Sequence, residues 1–501
     1  MSKPIEPIND HNQEEEQEQE LGVNVIVACC SNCIRVDLQN GCSVAEGNNA
    51  MAIGRGSHAE GGGTMANGQF SHAEGAITRT LQDVAHAEGQ QTTAGGFASH
   101  AEGDFTRSMG LASHSEGGST FASGDYSHAE GDTTTSSGWA SHAEGRNTVA
   151  KESAAHAEGR NTTAIGEASH AEGSSTMAMG AFSHAEGDNT SASVTASHAE
   201  GQRTLANSTA AHAEGIMTVA SGEASHAEGF RTMAAGNDAH AEGSITIASG
   251  FASHAEGDNT LANGFVSHAE GTFTSANLFP GAHIMGRFGD ANEPYSWFLA
   301  NGTSSTDRGL AAKISTTGVG ISDRGWRGGG ADYAEMFETF DGQSIDVGYF
   351  VTLTGEKVRK ANDTEDYILG VVSANPAVLA DSGELRWKNK YVTDEWGRVE
   401  YQDVVIPAKE GKEGKVIVPE RIEKQPILNP DWNPELEYIP RTERHDWAAV
   451  GLLGKLLVRD DGTCQVNGYC KPNKEGIATS SRKGYRVMKR TGPNQIFILF
   501  K

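Results

Sequence analysis

Small and polar residues alternate in a short motif that returns throughout the middle of the chain. The motif is Ser-His-Ala-Glu-Gly or a close variant, and its histidines are spaced 14 residues apart without a slip. They are His58, His72, His86, His100, His114, His128, His142, His156, His170, His184, His198, His212, His226, His240, His254 and His268. An earlier copy at 43–47 carries Val44 in place of histidine, and a threonine follows each histidine by six residues. The alternation places His and Glu on one face of a strand and the small residues on the other.

A fixed short period predicts a β-solenoid over residues 43–278. Each repeat is one unit that buries its surface only by stacking on its neighbours. Fourteen residues are too few for a helical hairpin, and Gly, Ser and Thr are poor helix formers. About sixteen to seventeen coils, at about 4.8 Å per stacked strand, make a rod of roughly 80 Å. Because bulky aliphatic residues are scarce, lateral association into a threefold bundle is expected.

This repeat resembles the head repeats of YadA-like trimeric autotransporter adhesins, which also occur in phage tail fibres. The resemblance implies a homotrimer of left-handed parallel β-rolls. Such adhesins often carry Ile where every copy here carries Glu, which argues against a purely apolar interior.

Two segments precede the solenoid. Residues 1–22 are acidic and are predicted to be a disordered tail, either solubilising or a docking peptide. Residues 23–42 are predicted to be an attachment segment, with an apolar run followed by four cysteines. These are Cys29, Cys30, Cys33 and Cys42. They are interpreted as free thiols or a metal site that lacks a nearby histidine, or as disulfides to other chains or an attachment partner.

Residues 279–331 are predicted to be a neck or cap. The period breaks at 279–281, and His283 arrives one residue late. Short strands are predicted at 295–299 and 311–314, and the glycines at 328–330 mark a flexible boundary.

Residues 332–501 have the composition of a β-rich globular domain. Strands are predicted at 349–353, 367–372, 416–418, 452–458 and 496–500. The proline-rich segment from Pro426 to Pro440 is predicted to be an extended loop. Cys464 and Cys470 are interpreted as thiols in preference to a disulfide.

Composition limits the partners. The formal net charge of -27 argues against nucleic acid and anionic membrane surfaces. The sequence has no run of about twenty apolar residues and no basic-then-apolar leader. We expect synthesis in the cytoplasm and a final place on a virion tail or appendage, or alternatively on a spore surface.

The sequence Asp332-Tyr333-Ala334-Glu335, directly after the glycines, is the candidate for chemistry. With the motifs at 348–353, 373–376 and 458–464, it resembles the C-terminal self-cleaving intramolecular chaperone of phage neck-appendage and tailspike proteins. That family is classed among the glutamic-type peptidases. The resemblance implies a domain that trimerises, guides folding of the fibre, and cuts itself off between Ala331 and Asp332.

The residue types permit this reaction. The Asp332 carboxylate reaches the Ala331 carbonyl carbon through a six-membered ring. Glu335, kept protonated by partial burial, donates to the leaving amide or orients a water. Taken alone, the four residues also fit a solvated acidic turn. Relatives often have Ser before the Asp, and Ala331 excludes a hydroxyl-driven acyl shift. A rival bond is Ser322–Asp323.

The repeated histidines permit two interpretations. One is a ladder in which each His is paired with a Glu, which would raise the histidine pKa; the other is a metal site. The sequence favours the ladder, with no metal and no cofactor. The leading functional prediction is a homotrimeric fibre or adhesin-like appendage that binds a host or cell-surface receptor and cleaves only itself, once. The alternative is a spore- or cell-surface fibre anchored through the cysteine segment.

Overall fold

The structure, a computed structural model, describes residues 34–327, 329–383, 389–410, 416–418 and 420–501. The acidic tail and three of the attachment cysteines (Cys29, Cys30 and Cys33) lie outside the described residues. Within those residues the chain is almost entirely β, with one 3-10 helix at Arg441–Glu443 and no α-helix. No helix in this part of the chain is long and apolar enough to cross a membrane. The chain divides into two units, Met1–Asp323 and Arg324–Lys501.

The first unit is a parallel β-solenoid of about 18 turns, which confirms the predicted fold class. Each coil contributes two short strands, and each strand pairs in parallel with its equivalent one period away. The first strands are Ser43–Glu46, His58–Gly62, His72–Ala76, His86–Ala87, His100–Ala101, His114–Gly118, His128–Asp132, His142–Arg146, His156–Arg160, His170–Ser174, His184–Asp188, His198–Ala199, His212–Ala213, His226–Ala227, His240–Ala241, His254–Ala255 and His268–Ala269. The second strands are Met51–Ala52, Met65–Ala66, Arg79–Thr80, Thr93–Ala94, Arg107–Ser108, Phe121–Ala122, Thr135–Ser136, Val149–Ala150, Thr163–Ala164, Met177–Ala178, Ser191–Ala192, Leu205–Ala206, Val219–Ala220, Met233–Ala234, Ile247–Ala248, Leu261–Ala262 and Thr272–Ser275.

The solenoid interior is built from small side chains. In the coil that begins at Ser71, Ser71 and Ala73 are buried while His72 and Glu74 are half-buried, as the alternation predicts. Alanines and threonines line the inside of every coil, so a coil carries little apolar surface of its own. Backbone hydrogen bonds between coils, such as His156 N–H to Ser169 O at 2.9 Å, therefore hold the rod together.

The glycine that ends each motif is required by the stacking. Gly159 has φ +102°, and a Cβ there would lie 2.2 Å from the carbonyl oxygen of Gly173 in the next coil. Any side chain would force neighbouring coils apart, which explains why glycine recurs with the full period.

Antiparallel strands close both ends of the solenoid. At the N-terminal end Ile34–Asp37 pairs with Ser43–Glu46. At the other end parallel pairing continues beyond residue 278, through His283–Asp290 to Trp297–Asn301. The late His283 still pairs with His268, since the extra residue is taken up in the preceding turn. The predicted strands of the neck are present as Trp297–Asn301 and Leu310–Ile314, followed by Gly320–Ser322.

The second unit is built around one long strand, Trp447–Arg459. It pairs in antiparallel fashion with Asp332–Glu338, Gly370–Val372 and Gln495–Phe500. The other strands are Phe350–Thr354, Lys357–Lys360, Val378–Ala380, Tyr401–Ile406, Lys409–Glu410, Val416–Val418, Arg421–Pro426, Tyr469–Pro472, Ala478–Ser481 and Tyr485–Gly492. Each of the five predicted strands therefore coincides with or overlaps an observed one.

The core of the second unit contains large side chains, unlike the solenoid. Phe350, Leu456 and Ile498 are among its fully buried residues. Cys464 and Cys470 are buried and unpaired, as predicted. Burial raises the pKa of Cys470 to about 12, so this thiol is unreactive at neutral pH.

Candidate functional site

The strand Asp332–Glu338 places the predicted cleavage motif on the central sheet. Its register against the long strand pairs Asp332 with Gly454, with an irregularity after Tyr333. Asp332 and Ala334 are buried, whereas Tyr333 is exposed and Glu335 is half-buried. The alternation of a strand therefore turns Asp332 inward and Glu335 outward.

The backbone carbonyl groups of Ala331 and Asp332 each accept a hydrogen bond from another segment, and the first of them belongs to the predicted scissile bond. The Lys455 N–H donates to the Ala331 carbonyl oxygen at 3.1 Å, and the Ala377 N–H donates to the Asp332 carbonyl oxygen at 2.8 Å. A fixed donor on a carbonyl oxygen stabilises the negative charge that develops there when the carbon is attacked. The geometry thus polarises the bond that the sequence singled out.

The Asp332 side chain is buried beside this bond. It is 7% exposed, and its Oδ2 atom is shielded from solvent without a hydrogen-bond partner. A Cβ at Gly451 would lie 3.0 Å from that oxygen, so the absence of a side chain there makes room for the carboxylate. A buried carboxylate oxygen without a partner is costly for folding and is typical of functional sites.

A cleft of about 540 Å³ opens next to the bond. Its wall includes Ala331 and Asp332 together with Ser373, Asn375 and Lys455. The space is large enough to admit water to the carbonyl carbon.

Glu335 lies on the other face of the strand. The Tyr333 hydroxyl donates to Glu335 Oε1 at 2.5 Å, and this hydrogen bond raises the pKa of Tyr333. Within one chain the strand does not bring the two predicted carboxylates together. A spacing of three residues along a strand dictates this outcome, because residues 332 and 335 have opposite parity.

Two contributions to the site were not predicted from the sequence: the backbone donors of Lys455 and Ala377. The only sequence signal for the first is the pair of glycines in Gly451-Leu-Leu-Gly454, which is unusual inside an apolar strand. The rival bond, Ser322–Asp323, lies in the first unit at the end of Gly320–Ser322, where the Asp323 N–H donates to Ala311 O.

Replacing Gly454 by Ala should slow cleavage about 100-fold, the order expected when a reacting group is misplaced by about 1 Å. Gly454 has φ +120°, and a Cβ there would lie 2.4 Å from the Ala331 carbonyl oxygen, so the carbonyl must move off the Lys455 donor. The rate of appearance of the fragments measures this. Gly462→Ala is the matched control, since Gly462 also has positive φ (+88°) but open space around it. Equal rates in the two variants would contradict the assigned role of the Lys455 donor.

The histidines and glutamates of the solenoid form a second cluster, the His–Glu ladder, from Glu46 to His283. Successive imidazole rings stack, with centroids 4.8 Å apart for His58 and His72. Most His Nε2 atoms lie 3.5 to 3.9 Å from the nearest Glu Oε, too far for a hydrogen bond. Only two pairs are closer: His240 to Glu228 at 3.3 Å and His254 to Glu242 at 3.2 Å.

The predicted rise in histidine pKa is wrong. Burial, and then the charge of the stacked neighbours, lowers the pKa of eight ladder histidines, in the case of His268 to about 4. The others are His72, His100, His128, His156, His184, His212 and His254. These imidazoles are neutral at pH 7, so they form no ion pairs there. The prediction considered only the Glu beside each His and left out the repulsion between coils.

The glutamates repel one another in the same way. Hydrogen bonding to Glu88 and then to Glu116 raises the pKa of Glu102 to about 7, because adjacent carboxyls share a proton. The same cause lowers the pKa of Glu88 and of Glu116. Around Glu102, neighbouring carboxyl groups therefore have pKa values shifted in opposite directions.

These directions give opposite pH dependences for two variants in the metal-free protein. A histidine whose pKa is lowered in the folded protein reduces the stability of the fold as pH falls from about 6.5 toward that lowered pKa. His268→Gln should therefore have a higher melting temperature than the parent between about pH 6.5 and 4.

A glutamate whose pKa is raised in the folded protein reduces the stability of the fold as pH rises from about 4.5 through that raised pKa. Glu102→Gln should therefore have a higher melting temperature than the parent above about pH 7. Melting curves in EDTA at several pH values measure both. If the gain in melting temperature changed with pH in the same direction for both variants, the assigned pKa shifts would be contradicted.

Two regions of the chain are similar to known protein families. Residues 296–495 match the family Peptidase_G2, IMC autoproteolytic cleavage domain. Residues 45–76, 157–183 and 171–193 match the YadA head domain repeat. The chain thus combines a region similar to YadA head repeats with a C-terminal region similar to the Peptidase_G2 domain.

The similar proteins come from Bacillus phages and from Bacillus subtilis. The pre-neck appendage protein of Bacillus phage B103 is 35% identical over 210 residues, which cover 42% of this chain and 22% of that protein. That of Bacillus phage phi29 is 36% identical over 149 residues, covering 30% and 16%. The putative phage-related protein YobO of Bacillus subtilis (strain 168) is 38% identical over 162 residues, covering 32% and 19%. The matches thus span less than a quarter of each relative's length.

Two solved structures are also similar. The C-terminal fragment of bacteriophage phi29 gene product 12 is 32% identical, with 34% of this chain and all of that chain covered and a TM-score of 0.28. The pre-mature phi29 gene product 12 is 18% identical, with 89% and 57% covered and a TM-score of 0.38.

Proposed function

We propose that this protein is a homotrimeric fibre of a phage neck or tail appendage, whose C-terminal unit assembles the trimer and then removes itself. Cleavage falls between Ala331 and Asp332. The observation that supports this proposal is the environment of that peptide bond: its carbonyl oxygen accepts from the Lys455 N–H, and a buried carboxylate and a cleft lie beside it. The pre-neck appendage relatives favour a phage appendage over a spore- or cell-surface fibre.

The reaction proceeds in two steps. An Asp332 carboxylate oxygen attacks the Ala331 carbonyl carbon, and the Lys455 N–H stabilises the oxyanion. The C–N bond then breaks, the Asp332 nitrogen takes up a proton, and Ala331 remains joined to the Asp332 side chain as a mixed anhydride. Water from the cleft hydrolyses the anhydride, which leaves a carboxylate on Ala331 and restores Asp332. The enzyme acts once on itself, without a cofactor.

Glu335 is assigned to the bond of a neighbouring chain. On its own strand it faces away from Asp332, and the Tyr333 hydroxyl orients it on the outward face. In a trimer an outward carboxyl is placed to donate the proton that the leaving nitrogen of another chain needs. Cleavage would then wait until the chains have assembled.

Intact mass of the purified full-length protein tests the proposal. We expect two species, residues 1–331 and residues 332–501. Sequencing from the N-terminus of the smaller fragment should begin at Asp332. An unprocessed chain of 52.8 kDa in a well-formed trimer would contradict cleavage at this bond.

A further inference from the structure

We propose that the His–Glu ladder binds a column of divalent transition-metal ions of the zinc type along one face of the solenoid. The ladder lies in the first unit, whereas the candidate cleavage site lies in the second. The proposal does not depend on the proposed function.

Possible ligand atoms lie close together at several levels of the column. One nitrogen or oxygen atom from each of His58, Glu60 and His72 lies within 4.8 Å of the other two. Four further groups of the same kind are centred on Glu74, Glu102, Glu130 and Glu158. The repetition of these groups along the solenoid makes an array of similar candidate sites.

The distance between histidine and glutamate fits a shared ion better than a direct bond. Nε2 to Oε distances of 3.5 Å at His72 and 3.6 Å at His142 exceed a good hydrogen bond. Two ligands of one zinc ion, each at about 2.0 to 2.2 Å and at a tetrahedral angle, are separated by roughly 3.4 Å. The ladder is therefore spaced for an ion between the two side chains.

The histidine nitrogens that face the glutamates lack other partners. The Nε2 atoms of the ladder are shielded from solvent and accept or donate no hydrogen bond, except in His240 and His254. Buried polar atoms without partners are rare in folded proteins. Unlike the threonine hydroxyls inside the coils, which also lack partners, these nitrogens lie beside carboxylate oxygens and are therefore available to an ion between the two side chains.

Charge points the same way. The glutamates of successive coils pair in register, so their carboxyl groups lie one above another along one face of the solenoid. Like charges stacked in this way repel one another, and a divalent cation between the coils would offset that repulsion.

The repeats themselves show which positions are constrained. His and Glu are unchanged through the sixteen copies from His58 to His268, and the earlier copy at 43–47 keeps the Glu but has Val44 in place of His. The outward position of the second strand, by contrast, changes from Met65 to Arg79 to Phe121 and Ser191. Packing against solvent permits that variation, whereas a ligand set does not.

The donor chemistry selects the metal. Imidazole nitrogen with one or two carboxylate oxygens suits Zn²⁺ and its neighbours Co²⁺ and Ni²⁺, while Mg²⁺ and Ca²⁺ prefer oxygen ligands alone. Divalent ions in adjacent coils would repel at this spacing, so we expect roughly one ion for every two coils.

Metal content of the untagged full-length protein tests the inference. After dialysis against EDTA, the protein is equilibrated with Zn²⁺ and the bound ions are counted by mass spectrometry. We expect several zinc ions per chain and a rise in melting temperature, with neither effect from Mg²⁺. Co²⁺ in place of zinc should give visible d–d absorption. Fewer than one zinc per folded chain would overturn the proposal.

A matched pair of variants locates the ions. Replacing His142, His156 and His170 by Gln should remove the ions of those coils and leave the rest bound. Replacing Arg146 and Arg160 by Gln changes exposed side chains of the same coils off the ladder, and should leave the zinc count unchanged. Size-exclusion chromatography shows whether each variant folds, and His156→Gln alone, read by the Co²⁺ absorption, replaces the triple variant if that one does not. Equal metal content in the histidine variant and the parent would place the zinc elsewhere and overturn the assignment.

Discussion

Replacing Asp332 by Asn leaves the chain whole. In the proposed mechanism the attacking atom is an Asp332 carboxylate oxygen, and an amide in its place is a far weaker nucleophile at the same position. The effect should be all-or-none on the time scale of expression and purification, because the Lys455 donor alone does not break a peptide bond. Intact mass and gel electrophoresis over several days measure it.

Two further variants distinguish a loss of the attacking group from a general disturbance of the structure. Asp332→Glu keeps the charge but lengthens the attacking ring by one atom, so cleavage should persist at a reduced rate. Asp323→Asn removes the acidic residue of the rival bond and should cleave like the parent. Fragments from the Asp332→Asn protein with an end at residue 331 would rule out attack by this side chain.

The assignment of Glu335 to a neighbouring chain has its own test. Glu335→Gln chains keep the attacking Asp332, and Asp332→Asn chains keep Glu335. Each protein alone should stay whole, whereas co-expression should restore cleavage of the Glu335→Gln chains in mixed trimers. If the mixture stays whole while both chains are in one trimer, Glu335 acts within its own chain.

The solenoid was predictable because its constraints are periodic. The 14-residue spacing fixes which residues stack, and the alternation of Ser71, His72 and Ala73 fixes which of them face inward. Its limits were less predictable. Pairing continues past residue 278 because His283 and Trp297 keep the 14-residue spacing after a single insertion.

The candidate cleavage site could be predicted only in part. The motif around Asp332 indicated which bond to examine, and its resemblance to a known family suggested the residue roles, which remain predictions. The Lys455 and Ala377 donors come from backbone brought close by sheet pairing, which has no side-chain signature. The sign of the ladder pKa shifts was missed because it depends on contacts between coils 14 residues apart, which a single motif does not display.

Ending the chain at residue 331 should convert a uniform trimer into aggregates and mixed oligomers. The physical reason is that successive coils present nearly the same surface to a neighbouring chain. Each first strand pairs with its neighbour His to His and Glu to Glu, so a slip of one coil between chains costs little. Slipped assemblies of this kind are kinetic traps.

A C-terminal unit that associates first removes this ambiguity. Its large buried side chains, such as Phe350 and Ile498, allow it to fold independently of the small-residue core of the solenoid. Once three such units are joined, the adjoining ends of the solenoids are held at an effective concentration of roughly millimolar. In the proposed assembly, coils would then form in one register from the neck toward residue 43, and later cleavage would leave a rod that is kinetically stable without the C-terminal unit.

Size-exclusion chromatography with light scattering, run on the full-length chain and on residues 1–331, decides the matter. Residues 1–331 released from the full-length protein should form one uniform trimer, and the chain that was shortened before expression should give a broad distribution. Supplying residues 332–501 as a separate chain should not rescue the shortened one, because unlinked units no longer raise the local concentration of the coils. Asp332→Asn is the matched control, since the C-terminal unit stays attached to the chain. Its trimer should be as uniform as that of the parent. A well-formed trimer from residues 1–331 alone would show that the register is set within the solenoid or its neck, and would remove the assembly role from the C-terminal unit.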